Sequence, residues 1–476
     1  MPKRKASSKC ISRAAGTDWA AEDFDNAQLG DARLVKRLKT IVTDFAKQPT
    51  ASIPQACGKW ATSKAAYRFF DNDSVEAQAI LDSHVQATVH RMSRHSTVLC
   101  IQDTTTLNYS THPRTQGLGP VGNNRDKTVG LLLHSTLAVT PSGHALGLLQ
   151  ARTWARDPRQ YGCSSQKRNA KPISKKESKK WLESYSVCQS LSAQCPKTIL
   201  INVADREGDL YDLFLQATRA TQTPRVELLV RAQHNRKVAH PQHYLWKFLS
   251  TRRLAGHLEI KVPRHGATPA RLAKLAIRFT RVTLHAPGLK EEQPSVTLWA
   301  IEARERRAPK PGQPICWRLL TTQAVLTLEE ALEKIRWYTQ RWQIEVMHKV
   351  LKSGCQVEQR QLETDQRLKR VFMVDLIVAW RVMSLCQAAR EMPEGRASDW
   401  LSAEEWQALS AYRDEPALPG RKSPCIRDAV RSIARLGGFL ARKGDGEPGP
   451  TVLWRGLQLL SVITEAWIRF SPRNCG

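Results

Sequence analysis

The stretch WYTQRWQIEVMHKVLK, Trp337 to Lys352, sets one carboxylate among several cations and a phenol. At about 100° per residue, with Tyr338 at zero, Arg341 falls at about −60°, Glu345 at about −20°, Lys352 at about −40° and His348 at about −80°. Trp337, Ile344, Met347 and Leu351 gather on another face, between about 180° and 260°. A core face therefore lies beside a face that collects charge. Arg and Lys hold phosphate oxygens, Tyr adds a hydrogen bond, and a carboxylate can hold a divalent cation. The plainer alternative is an i,i+4 ion pair between Arg341 and Glu345 on a solvated helix.

One carboxylate does not hold Mg²⁺ usefully, so partners must come from elsewhere in the chain. Asp103 and Asp205 are the candidates. Each follows an apolar run that reads as a buried strand, VLCI from Val98 and TILINVA from Thr198. Open sheets place ligands beyond such strand ends, and neighbouring parallel strands bring the ends together. Three hard oxygen donors could hold two Mg²⁺ ions about 4 Å apart, suited to in-line phosphoryl transfer.

The elements around these residues form a pattern. From Thr17 to Thr88 the chain reads as helical, with Arg33, Lys36, Arg37 and Lys47 around LVKRLKTIVTDFAKQ, and Lys64 and Arg68 within SKAAYRFFDN. A DNA-docking bundle and a solvated basic face both suit that composition. VGLLLHSTLAVT, PSGH and ALGLLQARTW read as a hairpin, with His134 as a core histidine. The lysine-rich loop SQKRNAKPISKKESKK is expected to face phosphate or solvent. WLESYSVCQSL and DREGDLYDLFLQA read as helices, and PRVELLVRAQ as a strand ending near Arg231. In DREGD, Glu207 and Asp209 are expected either to support the site or to be ordinary first-turn acids at a helix N-terminus, and not to ligate. LEIKVPR, VTLWAIEAR and CWRLLTT suggest a β insertion from His234 to Thr322. A capping box, Thr327 to Glu330, starts the helix that carries Glu345, with a break expected near Thr339. Beyond Leu362 the chain reads as helical.

Bulk properties agree with a nucleic-acid partner. The 476 residues carry 73 Lys and Arg against 44 Asp and Glu, a net charge of +29. Neutralising DNA phosphates releases counterions, so an excess of this size favours DNA; an anionic membrane surface is the alternative. No run is expected to reach the roughly 20 apolar residues of a membrane span. The start, MPKRKASSKC, is basic with no apolar core after it, so no secretory signal is expected. Eleven scattered cysteines without a CxxC pair point to a reduced, cytoplasmic protein rather than a disulfide framework or a zinc site. Cys100 is expected in the core.

IQDTTTLNY, NVADREGDLYDLF and YTQRWQIEVMHKVLKSG together resemble the signature segments of bacterial DDE transposases of the transposon-five type, within the insertion-sequence-four family. DWA…LGDAR…AYRF, the stretch from Lys176 to Trp181, and RLGGF at Arg435 to Phe439 extend the similarity. It is patchy beyond Glu363, and the loop between Trp154 and Trp181 is unusually basic. The resemblance implies an α/β fold: an RNase H-like core over residues 89–233 and 324–375, with a β insertion over 234–323. It implies a helical end-binding domain over 1–88 and a helical dimerisation region over 376–476. Asp103, Asp205 and Glu345 would be the catalytic, metal-binding triad, with Mg²⁺ as cofactor and Mn²⁺ able to substitute. Tyr338, Arg341 and Lys352 would grip a terminal phosphate, and Arg231 would add a contact. Trp317 would stack on a flipped base, the alternative being a core tryptophan. His348 and Lys349 are further candidates for DNA contact, with core or solvated roles as alternatives; Arg33, Arg37 and Arg68 are the N-terminal ones. The implied function is cut-and-paste transposition by a homodimer on transposon-end and target DNA: nicking, hairpin formation and resolution, then strand transfer. A structure-specific nuclease of RNase H fold and a non-catalytic repressor derived from a transposase are the rival functions.

Overall fold

A computed structural model describes residues 19–122, 127–159, 172–221, 225–262, 270–288, 292–307, 314–413 and 423–470. The basic start, the first part of the lysine-rich loop and much of RDEPALPGRKSP lie outside those residues.

Five helices come first: α1 (Trp19–Phe24), α2 (Ala32–Lys47), α3 (Ile53–Cys57), α4 (Trp60–Asp71) and α5 (Ala77–Met92). Four strands follow: β1 (Thr97–Asn108), β2 (Gly119–Pro120), β3 (Val129–Val139) and β4 (Ala145–Trp154). Then α6 (Lys179–Ser192), β5 (Ile199–Ala204), α7 (Tyr211–Arg219) and β6 (Glu227–Arg231) alternate. The insertion carries α8 (Leu245–Ser250), β7 (Gly256–Val262), β8 (Arg271–Leu284), β9 (Val296–Glu305) and β10 (Cys316–Thr321). After it come α9 (Leu328–Thr339), α10 (Trp342–Lys349), α11 (Asp365–Glu391), α12 (Ala403–Tyr412), α13 (Ile426–Leu436) and α14 (Pro450–Phe470).

The chain divides into two compact units. One is the sheet unit, His84–His348 with Gln361–Lys369. In it β4, β3 and β1 lie side by side and antiparallel, and β5 and β6 continue parallel to β1. With α6 and α7 on the connections to β5 and β6, this is an RNase H-like core. β10, β9, β8 and β7 extend the same sheet antiparallel from β6, which makes it ten-stranded. Burial follows from position. β3 and β5 lie within the sheet and are buried almost throughout, whereas β7, at its edge, alternates residue by residue.

A paired polar chain crosses three strands of the core. His134 on β3 bonds Thr104 Oγ1 at 2.9 Å and Gln102 Oε1 at 3.0 Å; Gln102 Nε2 donates to Asn202 Oδ1 at 2.6 Å. Burial keeps the His134 pKa well below its usual value, so the ring is neutral. A satisfied buried network of this kind pins strand register.

The second unit is helical and holds the described residues up to Ser83, Lys349–Arg360 and those from Arg370 on. α2 buries Leu38, Ile41, Val42 and Phe45, one stripe at helical spacing. Arg360 and Asp375 form a buried pair, Nη2 to Oδ1 2.7 Å. In RLGGF, a Cβ on Gly437 would strike the Val452 backbone, and Gly438 has φ +93°, so the two glycines permit the close turn from α13 towards α14.

Several expectations need correction. β1 continues for five residues past Asp103, because β3 pairs with it as far as Asn108. The break expected near Thr339 is present, with α9 ending at Thr339 and α10 starting at Trp342, but the π-helical turn at Val350–Gly354 went unread. α11 is long and apolar enough to span a membrane, against the expectation that no run would be, but 94% of its most apolar window is buried in the protein. α8 and the 14-residue β8 also went unread.

Asp209 explains how the insertion is tied to the core. It is fully buried and accepts from the Gln233 and His234 N–H groups at 2.7 and 2.8 Å while pairing with Arg236 at 2.6 Å. Removing one partner of such a pair strands the other. Asp209→Ala is therefore expected to cost about 3–5 kcal/mol in urea unfolding, whereas the exposed Glu207→Ala costs under about 1 kcal/mol; equal costs would show that Asp209 ties nothing.

Candidate active site

The sheet register places the first two acids. Ile101 and Val203 are the last parallel pair between β1 and β5. Asp103 and Asp205 each lie two residues beyond that pair, at matching positions. Asp103 is held by the Thr104 N–H, 2.7 Å from its Oδ1. Asp205 caps a 3₁₀ turn, accepting from Glu207 N at 2.8 Å.

The third acid arrives on α10. The Thr327–Glu330 capping box starts α9 as expected. The chain then turns through Gln340 and Arg341, and Arg341 reaches back to the sheet. Its Nη1 lies 3.3 Å from Asp103 Oδ2, and its Nη2 bonds Glu345 Oε1. The Arg341–Glu345 ion pair is thus present, and it includes Asp103 as well.

Electrostatics show how crowded the site is. Burial, first of all, pushes the Asp103 pKa from 3.8 to about 6. The Thr104 N–H and Arg341 oppose that rise, while the Asp205 and Glu345 carboxylates add to it. Burial works against the charge on Arg341, but Tyr338, Glu345 and Asp103 outweigh it and leave its pKa raised.

Beside the acids stands an aromatic and cationic wall. Tyr338 lies in the last turn of α9 and is buried, with its ring edge-on to Trp317 at 6.2 Å between centroids. Burial raises the phenol pKa, opposed by Arg231 and Arg341. Arg231 ends β6 opposite Leu319 of β10, so the insertion brings Trp317 alongside. Trp317 and Arg231 are half-buried.

The remaining candidates fall differently. His348 takes the core position given as its alternative: it is buried, and its Nε2 lies 2.8 Å from Ser135 Oγ inside the sheet unit. Lys349 is exposed; Lys352 is half-buried in the π-helical turn. Both belong to the helical unit, as do Arg33, Arg37 and Arg68. Arg33 is engaged by Asp31, with Nη2 to Oδ2 at 2.8 Å, while Arg68 is exposed and Arg37 partly so. Two surface tryptophans were missed. Trp60 is 80% exposed on the α4 face that carries Lys64 and Arg68, and Trp342 is 62% exposed beside Arg341. The available signal was an indole off the apolar stripe and next to cations, where bases can stack.

The donors suit a hard divalent cation in kind, being all carboxylate oxygens. Yet among the described residues no group of three His, Cys, Asp or Glu is gathered closely enough to hold one. Between Asp103 and Glu345 the Arg341 guanidinium stands in for a cation.

Residues 16–75 match the family model described as Transposase DNA-binding, and residues 377–473 match the Transposase Tn5 dimerisation domain. The two matched stretches are thus similar to the DNA-binding and dimerisation parts of transposases. Among solved structures the chain is similar to a piggyBac transposase synaptic complex with hairpin DNA: 9% identity over 96% of this chain and 80% of that one, TM-score 0.37. That likeness is too low to bear on the site.

The raised Asp103 pKa has a consequence for stability. The native state holds this proton more tightly than the unfolded chain does. Its contribution is full below pH 3.8 and is lost as pH rises through about 6. Asp103→Asn cannot ionise, so its Tm relative to the parent is expected to climb between pH 4.5 and 7.5, on the order of a few degrees. A flat difference in thermal melts would mean that the carboxylate is under no such pressure.

Proposed function

We propose that the chain is a DNA transposase, that Asp103, Asp205 and Glu345 are its catalytic triad, and that they hold Mg²⁺, or Mn²⁺ in its place. The matched positions of Asp103 and Asp205 in the β1–β5 register, with Glu345 joined to Asp103 through Arg341, support this most directly. When bound, divalent cations would polarise the scissile phosphate and stabilise the leaving oxygen.

The protein's own groups do the rest by positioning. Arg231, Arg341 and Lys352 offer guanidinium and ammonium donors to the phosphates of the transposon end. Tyr338 sets the edge of that grip, and Trp317 offers a face on which an unstacked base rests. Exposed Arg68, with Arg37 and Arg33, contacts end DNA from the helical unit. Nicking, hairpin formation, hairpin opening and strand transfer all attack phosphorus. One rigid site serves the four steps if the DNA is re-aimed between them. The assembly that does this is a homodimer holding two transposon ends and then target DNA, at the nucleoid in the bacterial cytoplasm. The catalytic core runs over 89–233 and 324–375, flanked by end-binding (1–88) and dimerisation (376–476) regions and interrupted by the insertion (234–323).

Labelled end duplexes with Mg²⁺ separate the alternatives. Asp103→Ala, Asp205→Ala and Glu345→Ala are each expected to lower cleavage by at least about a thousandfold, with end binding held within a few-fold. Normal cutting by any of the three removes that residue from the triad. A hairpinned product distinguishes the transposase from a nuclease that only cuts junctions. Lys352→Ala is expected to weaken end affinity by roughly tenfold through one lost charge-assisted phosphate contact; unchanged affinity and hairpinning would take Lys352 out of the grip.

A further inference from the structure

Arg341 does something a phosphate ligand need not do. It sits on the turn between α9 and α10, with its guanidinium spread across two acids that come from distant parts of the chain. All three side chains are mostly shielded: 15% exposed for Arg341, 19% for Asp103 and 32% for Glu345. Such a planar fork satisfies both carboxylates at once, as a bridging metal ion would. Asp205 is held by Glu207 N and is not part of this bridge among the contacts described.

A guanidinium cannot leave by losing its proton, since it stays charged at any working pH. A better anion has to draw it off. A DNA phosphate is one, because it offers paired oxygens and a full charge. The side chain projects from a turn, so it can swing without remodelling either helix.

We propose that Arg341 is the resident counter-ion of the acidic site, barring divalent cations from Asp103 and Glu345 until a DNA phosphate takes it away. This rests on the triad reading above. It orders the events: end DNA binds first, the two carboxylates are released, and the metal site closes around the DNA. Without DNA the protein carries no assembled hydrolytic centre. Linkage makes the effect reciprocal, so the metal must tighten end binding by the factor by which end DNA tightens metal binding.

Mn²⁺ binding to the full-length protein, read from loss of the free-ion electron paramagnetic resonance signal, tests this without any turnover. The parent without DNA is expected to bind weakly. Arg341→Ala should bind at least about tenfold tighter, a size ordinary for linked sites. Arg341→Lys, whose single ammonium cannot fork across two carboxylates, should fall between. Adding Asp205→Ala should abolish the tightened site. A short end duplex should tighten Mn²⁺ binding by the parent more than by Arg341→Ala, each measured against its own Asp205→Ala background with DNA. In the parent, a duplex with uncharged methylphosphonates at the end phosphates should tighten it less, a comparison that needs no folded variant. If both Arg341 variants and the parent bind equally, with binding lost in Asp205→Ala, the counter-ion role is overturned and the triad stands. If no sample, with or without DNA, shows Mn²⁺ binding that depends on Asp205, the triad reading falls and takes this proposal with it.

Discussion

Like charges crowded at the edge of a low-dielectric sheet are the constraint on which this structure turns. Burial raises the cost of ionising Asp103, and the Asp205 and Glu345 carboxylates add to it. A core of this kind would be unstable without compensation. Arg341 provides part of it. The strands beneath are fixed by a separate, uncharged network. The His134–Gln102–Asn202 chain locks β3, β1 and β5 in one register. A slip of one residue would turn Asp103 to the other face of the sheet.

Much of this could be read from residue types. Continuous apolar runs ending in Asp marked β1 and β5, because strands buried on both faces need no alternation. Thr327 and Glu330 marked the start of α9 through a local capping interaction that does not depend on the rest of the fold. What could not be read was set by partners distant in sequence. β1 runs on past Asp103 because β3 is there to pair with it, and no local signal reports the length of a neighbour. His348 fell near the charged face on an ideal wheel, yet it is buried against Ser135 of β3, a partner distant in sequence that spacing within the helix does not report. α11 resembles a membrane span because a helix enclosed by protein meets an environment as apolar as lipid.

Arg341 shows the limit most clearly. Spacing alone paired it with Glu345, and it does pair. Its second contact, with Asp103, joins positions far apart in the chain and follows only from where the α9–α10 turn meets β1. The alternatives of ion pair and phosphate ligand were therefore not exclusive. The DNA-free protein uses the first arrangement, and the second requires that it be given up.

The insertion follows the same logic of register. Had it folded as a separate lobe, its tryptophan would have no fixed relation to the acids. Instead β10 hydrogen-bonds directly to β6, with Leu319 opposite Arg231, and this sets Trp317 against Tyr338. Trp317, Arg231, Asp103 and, directly after β5, Asp205 thus ride on one continuous sheet, so their separation is fixed by backbone hydrogen bonds, whereas Tyr338 and Glu345 come on the helices packed beside it. Asp209 and Arg236 secure the segment that leaves β6 for the insertion. Rigidity of this kind confines any rearrangement at the site to side chains such as Arg341, because the backbone that carries Asp103, Arg231 and Trp317 is held strand to strand.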